Sequence, residues 1–423
     1  MKKSLLTVLL SSSVLLLSAC GGGDGDTSYV ISKPGDDIPL NNITNPVVGT
    51  SIYTDKNTNT NVILDTYGSS KTLMTYKMLG VNGKETQATA LIFTPKTPKP
   101  AGGWPIVAWA HGTTGVADQC APSQQGLNGN EYFIAKLLAA GYAVVAPDYE
   151  GLGEPGGKEL HPFLNLKSEA YSITDAVVAT SKHLGNTTEQ RWTVVGHSQG
   201  GQAALGAAQY ASRAQLNYKG AVAIAPASFL SLILDGGEKK AAAESDLAKK
   251  IGILAPLDTF TALITAGLRN QYPTLQYSAI FQAPTAQLVE DNAATQCYDA
   301  LGNTLRGAMT VYAGQNNNTL EGYGRTQPGF MTSIREVQSF LTKDSQPLLT
   351  AIKTPVFIYQ GTKDDTVPKQ VTDLLVSSAP AGTKIHYVTD EKLPESSQWD
   401  HSSVYVENWG NIVADVESLM PVQ

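Results

Sequence analysis

A chain of 423 residues with 42% hydrophobic residues has enough apolar material for one large core, and can hold one α/β domain with an insertion. Charged residues make up only 16%, the net charge is −7, and no dense Lys/Arg run occurs, which excludes a nucleic-acid-binding footprint. The polar remainder, rich in Ser, Thr, Asn, Gln and Gly, suits an extracytoplasmic surface.

The N-terminus carries an export signal. Lys2 and Lys3 form a positive start, and an apolar stretch runs from Leu5 to Leu17, interrupted by Thr7 and Ser11 to Ser13. It is too short for a mature membrane span and is followed by small residues. Leu17-Ser18-Ala19-Cys20 resembles the lipobox of bacterial lipoproteins, which implies a signal peptide over 1–20 and lipidation of Cys20. The alternative is an ordinary secretory signal with a chance cysteine. Residues 21–50 then read as a flexible tether that begins with Gly21-Gly22-Gly23. Asp24 and Asp26 are read as solvated linker charge and not as a calcium site, and no metal site is expected. Gly21 in second position of the mature chain resembles the outer-membrane sorting pattern, so the expected location is the bacterial cell envelope, lipid-anchored, at the outer membrane or outside it. Several acyl chains on one cysteine would hold the protein firmly to a membrane.

Along the rest of the chain, strand-like runs at 73–79 and 88–93 flank the turn residues Gly80-Val81-Asn82-Gly83. The apolar run 105–110 suits a buried strand. A helical pattern at 132–140 stops at Gly141, and 142–146 is a further strand. A helix over 168–183, a strand at 192–195, a small-residue helix at 199–211 and a strand at 221–224 follow. Strands alternating with helices predict a mostly parallel central sheet covered by helices, an α/β fold, over 51–228 and 350–423. The alternation breaks at 229–349, where helical segments such as 241–251 and 259–268 occur without strands, the pattern of a helical cap insertion. Strands at 355–359 and 384–388 and a helix at 403–419 close the chain. Cys120 and Cys297 are a candidate disulfide in an oxidising compartment; two separate buried thiols are the alternative.

Gly196-His197-Ser198-Gln199-Gly200 matches the nucleophile-elbow pattern between an apolar strand and an Ala/Gly-rich helix. A serine nucleophile needs a base, and the base needs an orienting carboxylate; in this architecture they follow in the order Ser, acid, His. Asp364, directly after the 355–359 strand and three residues before Val367-Pro368, is the expected acid, with Asp365 as its rival. His401, between the last strand and the last helix, is the expected base. His386 is predicted to point into the sheet layer, and His161 and His183 precede the serine. His111 and His197 are read as packed residues that take no proton. The oxyanion donors are expected to be the backbone N–H groups of Gln199 and Thr113.

Trp109-Ala110-His111-Gly112-Thr113-Thr114-Gly115, Cys120-Ala121-Pro122-Ser123, Pro147-Asp148-Tyr149-Glu150-Gly151-Leu152-Gly153, His161-Pro162-Phe163-Leu164 and Gly196-His197-Ser198-Gln199-Gly200-Gly201 together resemble the secretory lipase family of α/β-hydrolases. The resemblance covers about residues 70–420. It implies an esterase or lipase with a Ser-Asp-His triad, an acyl-enzyme intermediate, a helical cap over the acyl pocket, a small-molecule or lipid ester as substrate and no cofactor. A serine peptidase on the same fold and a non-catalytic surface lipoprotein are the rival readings; no propeller-like repeat precedes the hydrolase region, which counts against the first.

Overall fold

The computed structural model describes residues 38–153 and 159–423. Cys20, the expected signal peptide and the first part of the expected tether lie outside the described residues.

Nine strands form one sheet in the order β1-β2-β3-β5-β4-β6-β7-β8-β9. They are β1 (Val47–Ile52), β2 (Gly68–Leu79), β3 (Glu85–Pro95), β4 (Trp104–Ala110), β5 (Ala143–Pro147), β6 (Thr188–His197), β7 (Asn217–Ile224), β8 (Val356–Gln360) and β9 (Ile385–Thr389). The pairs β1–β2, β2–β3 and β3–β5 are antiparallel, and every pair from β5–β4 onward is parallel. The mostly parallel sheet predicted from the alternation is therefore present, extended by an antiparallel hairpin and one edge strand.

The central strands are apolar on both faces because helices cover both. On one side α3 (Leu166–Leu184) and α4 (Gln199–Gln209) pack Tyr171, Ile173, Val177 and Leu205 against Ile106, Val194 and Ile358. On the other, α2 (Glu131–Ala139) and α9 (Trp409–Leu419) pack Phe133, Leu137, Ile412 and Val416 against Val107, Val195 and Val222. A further helix, α1 (Thr58–Tyr67), lies beside the hairpin with Leu64 fully buried.

The expected tether gives way to ordered chain well before residue 50. Asn41 donates to Asp175 at 2.9 Å, and Arg213 grips the same carboxylate at 2.8 and 2.7 Å while donating to the Pro39 carbonyl at 2.7 Å. Val47–Ile52 then adds β1 to the sheet, with five of its six residues exposed. The backbone pairing with β2, and not side-chain burial, holds it there.

Between β7 and β8 the described chain is helical: α5 (Leu230–Ala243), α6 (Leu247–Gln271), α7 (Thr285–Asn292) and α8 (Tyr298–Gln315) are its main elements, broken only by an isolated bridge between Phe281 and Thr326. These helices share their own apolar cluster, built on Leu254, Leu263, Ile264, Leu301, Leu305 and Met309. Inside it, Arg325 is shared by the buried Asp258 (2.6 Å) and by Glu238 (2.8 Å). Helix α6 is 25 residues long and apolar enough to cross a membrane, but 78% of its apolar 18-residue stretch is buried inside the protein, as in a core helix.

The start of α8 is stitched to the loop after β4. Cys120 and Cys297 are disulfide-bonded with their Cα atoms 5.3 Å apart, and the Tyr298 N–H donates to the Thr114 carbonyl at 2.9 Å. The bond spans 177 residues, so removing it frees a large amount of unfolded-chain entropy, equivalent to about 5 kcal/mol in the loop-closure treatment. The double variant C120S/C297S is expected to lower the urea midpoint and the Tm accordingly. An unchanged midpoint would show that this staple contributes nothing.

Candidate active site

Strand β6 ends on Gly196-His197 and turns into α4 within one residue. That residue is Ser198, held at φ 60° and ψ −119°, a conformation that side-chain-bearing residues rarely adopt. Three contacts force it there. The Ser198 N–H donates to the Ile224 carbonyl of β7 at 2.8 Å, and the Ser198 carbonyl accepts from Gln202 at 3.1 Å and from Ala227 at 3.3 Å. The flanking glycines make the turn sterically possible: a Cβ on Gly200 would strike the Ala110 and His111 carbonyls, and one on Gly196 would strike the Gly200 carbonyl.

The loop after β8 supplies a carboxylate. Asp364 is buried, and its Oδ1 accepts the backbone N–H groups of Thr366 (2.9 Å) and Val367 (2.8 Å). Its Oδ2 lies 2.8 Å from His401 Nδ1 and accepts from the Gln360 side chain at 3.1 Å. The neighbouring Asp365 points away: its side chain is 83% exposed and pairs with Lys240 of α5 at 2.7 Å. Asp364, and not Asp365, therefore meets His401.

His401 sits against the elbow. His197, half-buried beside Ser198, donates Nε2–H to the His401 carbonyl at 2.7 Å, and its ring centroid is 4.6 Å from that of His401 and 5.1 Å from that of Tyr405. Burial pushes the His197 imidazole down to about 3, so it stays neutral and keeps the donor role. The sequence predicts His197 as a packed residue that takes no proton. The structure gives it a specific task as well, the tie between the elbow and the histidine loop.

His386 departs from expectation. It lies on β9, the edge strand, where its side chain is exposed and stacks on Phe357 at 4.7 Å, so it does not enter the sheet layer. His183 is in the last turn of α3, at the opposite end of that helix from the site.

The loop after β4 passes beside the serine: a Cβ on Gly112 would come within 4.0 Å of the Ser198 Cβ. Its shape is set from beneath by buried rings. His111 lies between the Gly112 (2.6 Å) and Asp148 (3.1 Å) carbonyls and stacks on Tyr149 at 4.2 Å, whose hydroxyl donates to the His111 carbonyl at 3.0 Å. Burial pushes His111 down to about 4, so it serves the loop as a neutral ring. Ser198, Gln199 and Thr113 line one pocket, partly open to solvent and with about 440 Å³ of empty space, together with Leu164, Ala227, Thr366 and Val367. Its far wall is Leu230, Ile233 and Leu234 of α5 with Phe260 and Ile264 of α6.

Three further buried acids lie near this region. Burial raises Asp148 to about 6, Glu150 to about 7 and Glu169 to about 8. An acid whose folded value is raised holds its proton in the folded chain after the unfolded chain has lost it, so stability is lost as pH rises from the unfolded value to the folded one. The buried histidines work in the opposite direction, but only below their usual 6.5. Between pH 6.5 and 8 the acids act alone, and Glu169 by itself is expected to cost on the order of 2 kcal/mol over that window. Tm should fall as pH is raised through it, and less so in E169Q. A flat profile would contradict these protonation states.

Among the described residues no group of His, Cys, Asp and Glu is arranged to hold a metal ion.

A sequence model of the secretory lipase family matches residues 124–403, two thirds of the chain, a span that contains Ser198, Asp364 and His401. No curated protein sequence matches significantly. Among solved structures, a ligand-bound form of the rice cell wall degrading esterase LipA from Xanthomonas oryzae superposes with a TM-score of 0.67 at 19% identity, covering 89% of this chain and 98% of that one. Candida antarctica lipase A in its closed state superposes with a TM-score of 0.63 at 17% identity, covering 89% of this chain and 82% of that one. At such identities the superpositions speak for the fold, and the family match speaks for the class of chemistry. The chain belongs to the secretory lipase family and is an ester hydrolase built on the α/β-hydrolase fold.

Proposed function

We propose that the protein is a serine carboxylic ester hydrolase working through an acyl-enzyme, with Ser198 as nucleophile, His401 as general base and acid, and Asp364 as the orienting carboxylate. The observation that carries this reading is the 2.8 Å contact between Asp364 Oδ2 and His401 Nδ1, with the His401 backbone tied to the residue preceding Ser198. His401 donates Nδ1–H to Asp364, which leaves Nε2 as the basic nitrogen. Nε2 takes the Ser198 proton as Oγ attacks the ester carbonyl, and the same proton passes to the departing alkoxide. Water then attacks the acyl-enzyme, gives its proton to Nε2, and the acid leaves as Ser198 regains the proton.

The negative charge that develops on the carbonyl oxygen needs donors aimed at it. The Gln199 N–H, at the start of α4, and the Thr113 N–H are the donors of this reading. The cavity wall of Leu230, Ile233, Leu234, Phe260 and Ile264 suits an acyl chain, so residues 229–349 act as a cap that carries the acyl-binding wall. The chain is exported and lipidated on Cys20, which anchors it to the bacterial envelope, at the outer membrane; export is in keeping with a family of secretory enzymes. The N-terminal Gly-rich segment then serves as the tether.

A p-nitrophenyl ester series of increasing acyl length tests the assignment. The exported chain is expected to hydrolyse it, with kcat/KM rising as the acyl group fills the apolar wall and falling once the cavity is full. No hydrolysis of any member would overturn the assignment.

A further inference from the structure

His161-Pro162-Phe163-Leu164 plays no part in the triad, yet its first residue meets the proposed oxyanion site from below. The Gln199 side chain is buried, and its Nε2 lies 2.8 Å from Glu169 Oε1 and 2.8 Å from His161 Nε2. Both neighbours are acceptors. His161 donates Nδ1–H to the Glu150 carbonyl at 2.9 Å, which leaves Nε2 with its lone pair toward the amide. Burial holds His161 neutral, at about 3, so that lone pair is available at any ordinary pH. The two N–H bonds of the Gln199 amide are thus both used, and its side chain has one orientation.

The two acceptors are wired to the rest of the site. The His161 N–H donates to the Val116 carbonyl at 2.9 Å, in the segment that follows Thr113. The His161 ring stacks on Tyr149, which stacks on His111 at the base of the same loop. Glu169 Oε1 also accepts the Leu164 N–H at 3.2 Å, and Leu164 lines the cavity. Glu169 and His161 are fully buried in this arrangement, and the second carboxyl oxygen of Glu169 has no hydrogen-bond partner among the described residues. A buried acid placed against a helix start and left half satisfied is costly, and a role in orienting Gln199 explains why it stands there.

We propose that Glu169 and His161 are positioning residues for the oxyanion site: they clamp the Gln199 side chain and thereby fix the direction of the Gln199 N–H, while His161 ties that peptide to the Thr113 loop. The inference rests on the serine-hydrolase reading above. A clamp of this kind acts only where charge develops on the carbonyl oxygen, so its loss lowers kcat and leaves substrate affinity nearly unchanged.

The test compares E169L and E169Q in the full chain, with Q199M as an independent variant of the other partner. Removing a whole oxyanion donor costs about 100- to 1000-fold in kcat, and a misdirected one is expected to cost about 10- to 100-fold, with KM within about threefold of wild type. A trifluoromethyl ketone, whose adduct with Ser198 carries an oxyanion, should lose affinity in E169L by the same factor as kcat/KM. E169Q keeps a carbonyl oxygen toward the Gln199 amide and should return to within about threefold of wild type. Q199M should match E169L, and the double variant should be no worse than either single one. If E169L does not fold, Q199M alone decides: a kcat loss at constant KM supports the clamp, and wild-type kcat overturns it. Wild-type kcat in folded E169L, equal changes in kcat and KM, or no rescue in E169Q would also overturn it. A wild-type chain that hydrolyses no ester removes the hydrolase reading and the clamp together, whereas an active wild type with indifferent variants removes the clamp alone.

Discussion

Replacing Ser198 with alanine is expected to lower kcat for p-nitrophenyl esters by about 10⁵- to 10⁶-fold without changing the fold. The loss is large because the alternative nucleophile is water, which neither the elbow nor His401 orients. Rate above background should persist at a low level, since the oxyanion donors and the cavity survive the substitution. The backbone supplies a companion result. Alanine at 198 keeps the φ of 60°, so its stability should match the wild type, while Ser198→Gly relieves the strain and should be more stable by about 1 kcal/mol, equally inactive. Loss of activity with a gain in stability would separate chemistry from folding at this position. Retained turnover in Ser198→Ala would remove the nucleophile.

The second large effect is Asp364→Asn, expected to lower kcat by about 10⁴-fold. Asp364 Oδ1 is fixed by the Thr366 and Val367 N–H groups, both of which need an acceptor. An asparagine must therefore place its carbonyl oxygen there and turn its NH₂ toward His401 Nδ1. Nδ1 becomes the acceptor, the ring proton moves to Nε2, and the nitrogen that should take the serine proton already carries one. KM should change little. Asp365→Asn, on an exposed side chain paired only with Lys240, should be indistinguishable from wild type. Nitrogen NMR of the His401 ring checks the tautomer directly. Equal activity in Asp364→Asn would mean that the contact has no role in catalysis.

The sheet could be read from the sequence because its central strands are short apolar runs ended by glycine, proline or polar turns. β4 and β5 were displaced by no more than one residue at either end from the runs that announced them. The outer elements could not be read so easily. β1 exposes five of six residues, so it has no inside-outside alternation, and α1 buries only Thr60 and Leu64. In the cap, the sequence predicts a helical segment over 241–251. The chain instead breaks at 244–246, where Asp246 accepts the Lys249 N–H at 2.9 Å and starts α6. α6 then runs through Pro256, which pattern rules read as a stop. The final helix was expected to be continuous over 403–419, and is split into Ser403–Val406 and Trp409–Leu419.

The candidate site divides in the same way. Ser198 and Asp364 stand just after strand ends beside glycine or proline, and His401 lies between the last strand and the last helices, where the order Ser, acid, His requires the base, so local sequence points to them. The tie from His197 to the His401 backbone and the clamp on Gln199 join residues 204 and 30 to 38 positions apart, through side chains that look ordinary one at a time. Periodicity cannot reveal such pairs. At 161 and 169 the local sequence, His-Pro-Phe-Leu and Lys-Ser-Glu-Ala, carries no mark that separates a clamp from ordinary polar residues.

The most direct measurement is covalent capture. The chain is treated with a fluorophosphonate ester, digested, and the modified peptide identified by mass spectrometry. A single adduct on the peptide bearing Ser198, formed in step with the loss of esterase activity and absent in Ser198→Ala, is the predicted result. Esterase activity that survives full modification of Ser198, or an adduct located on another residue, would contradict it.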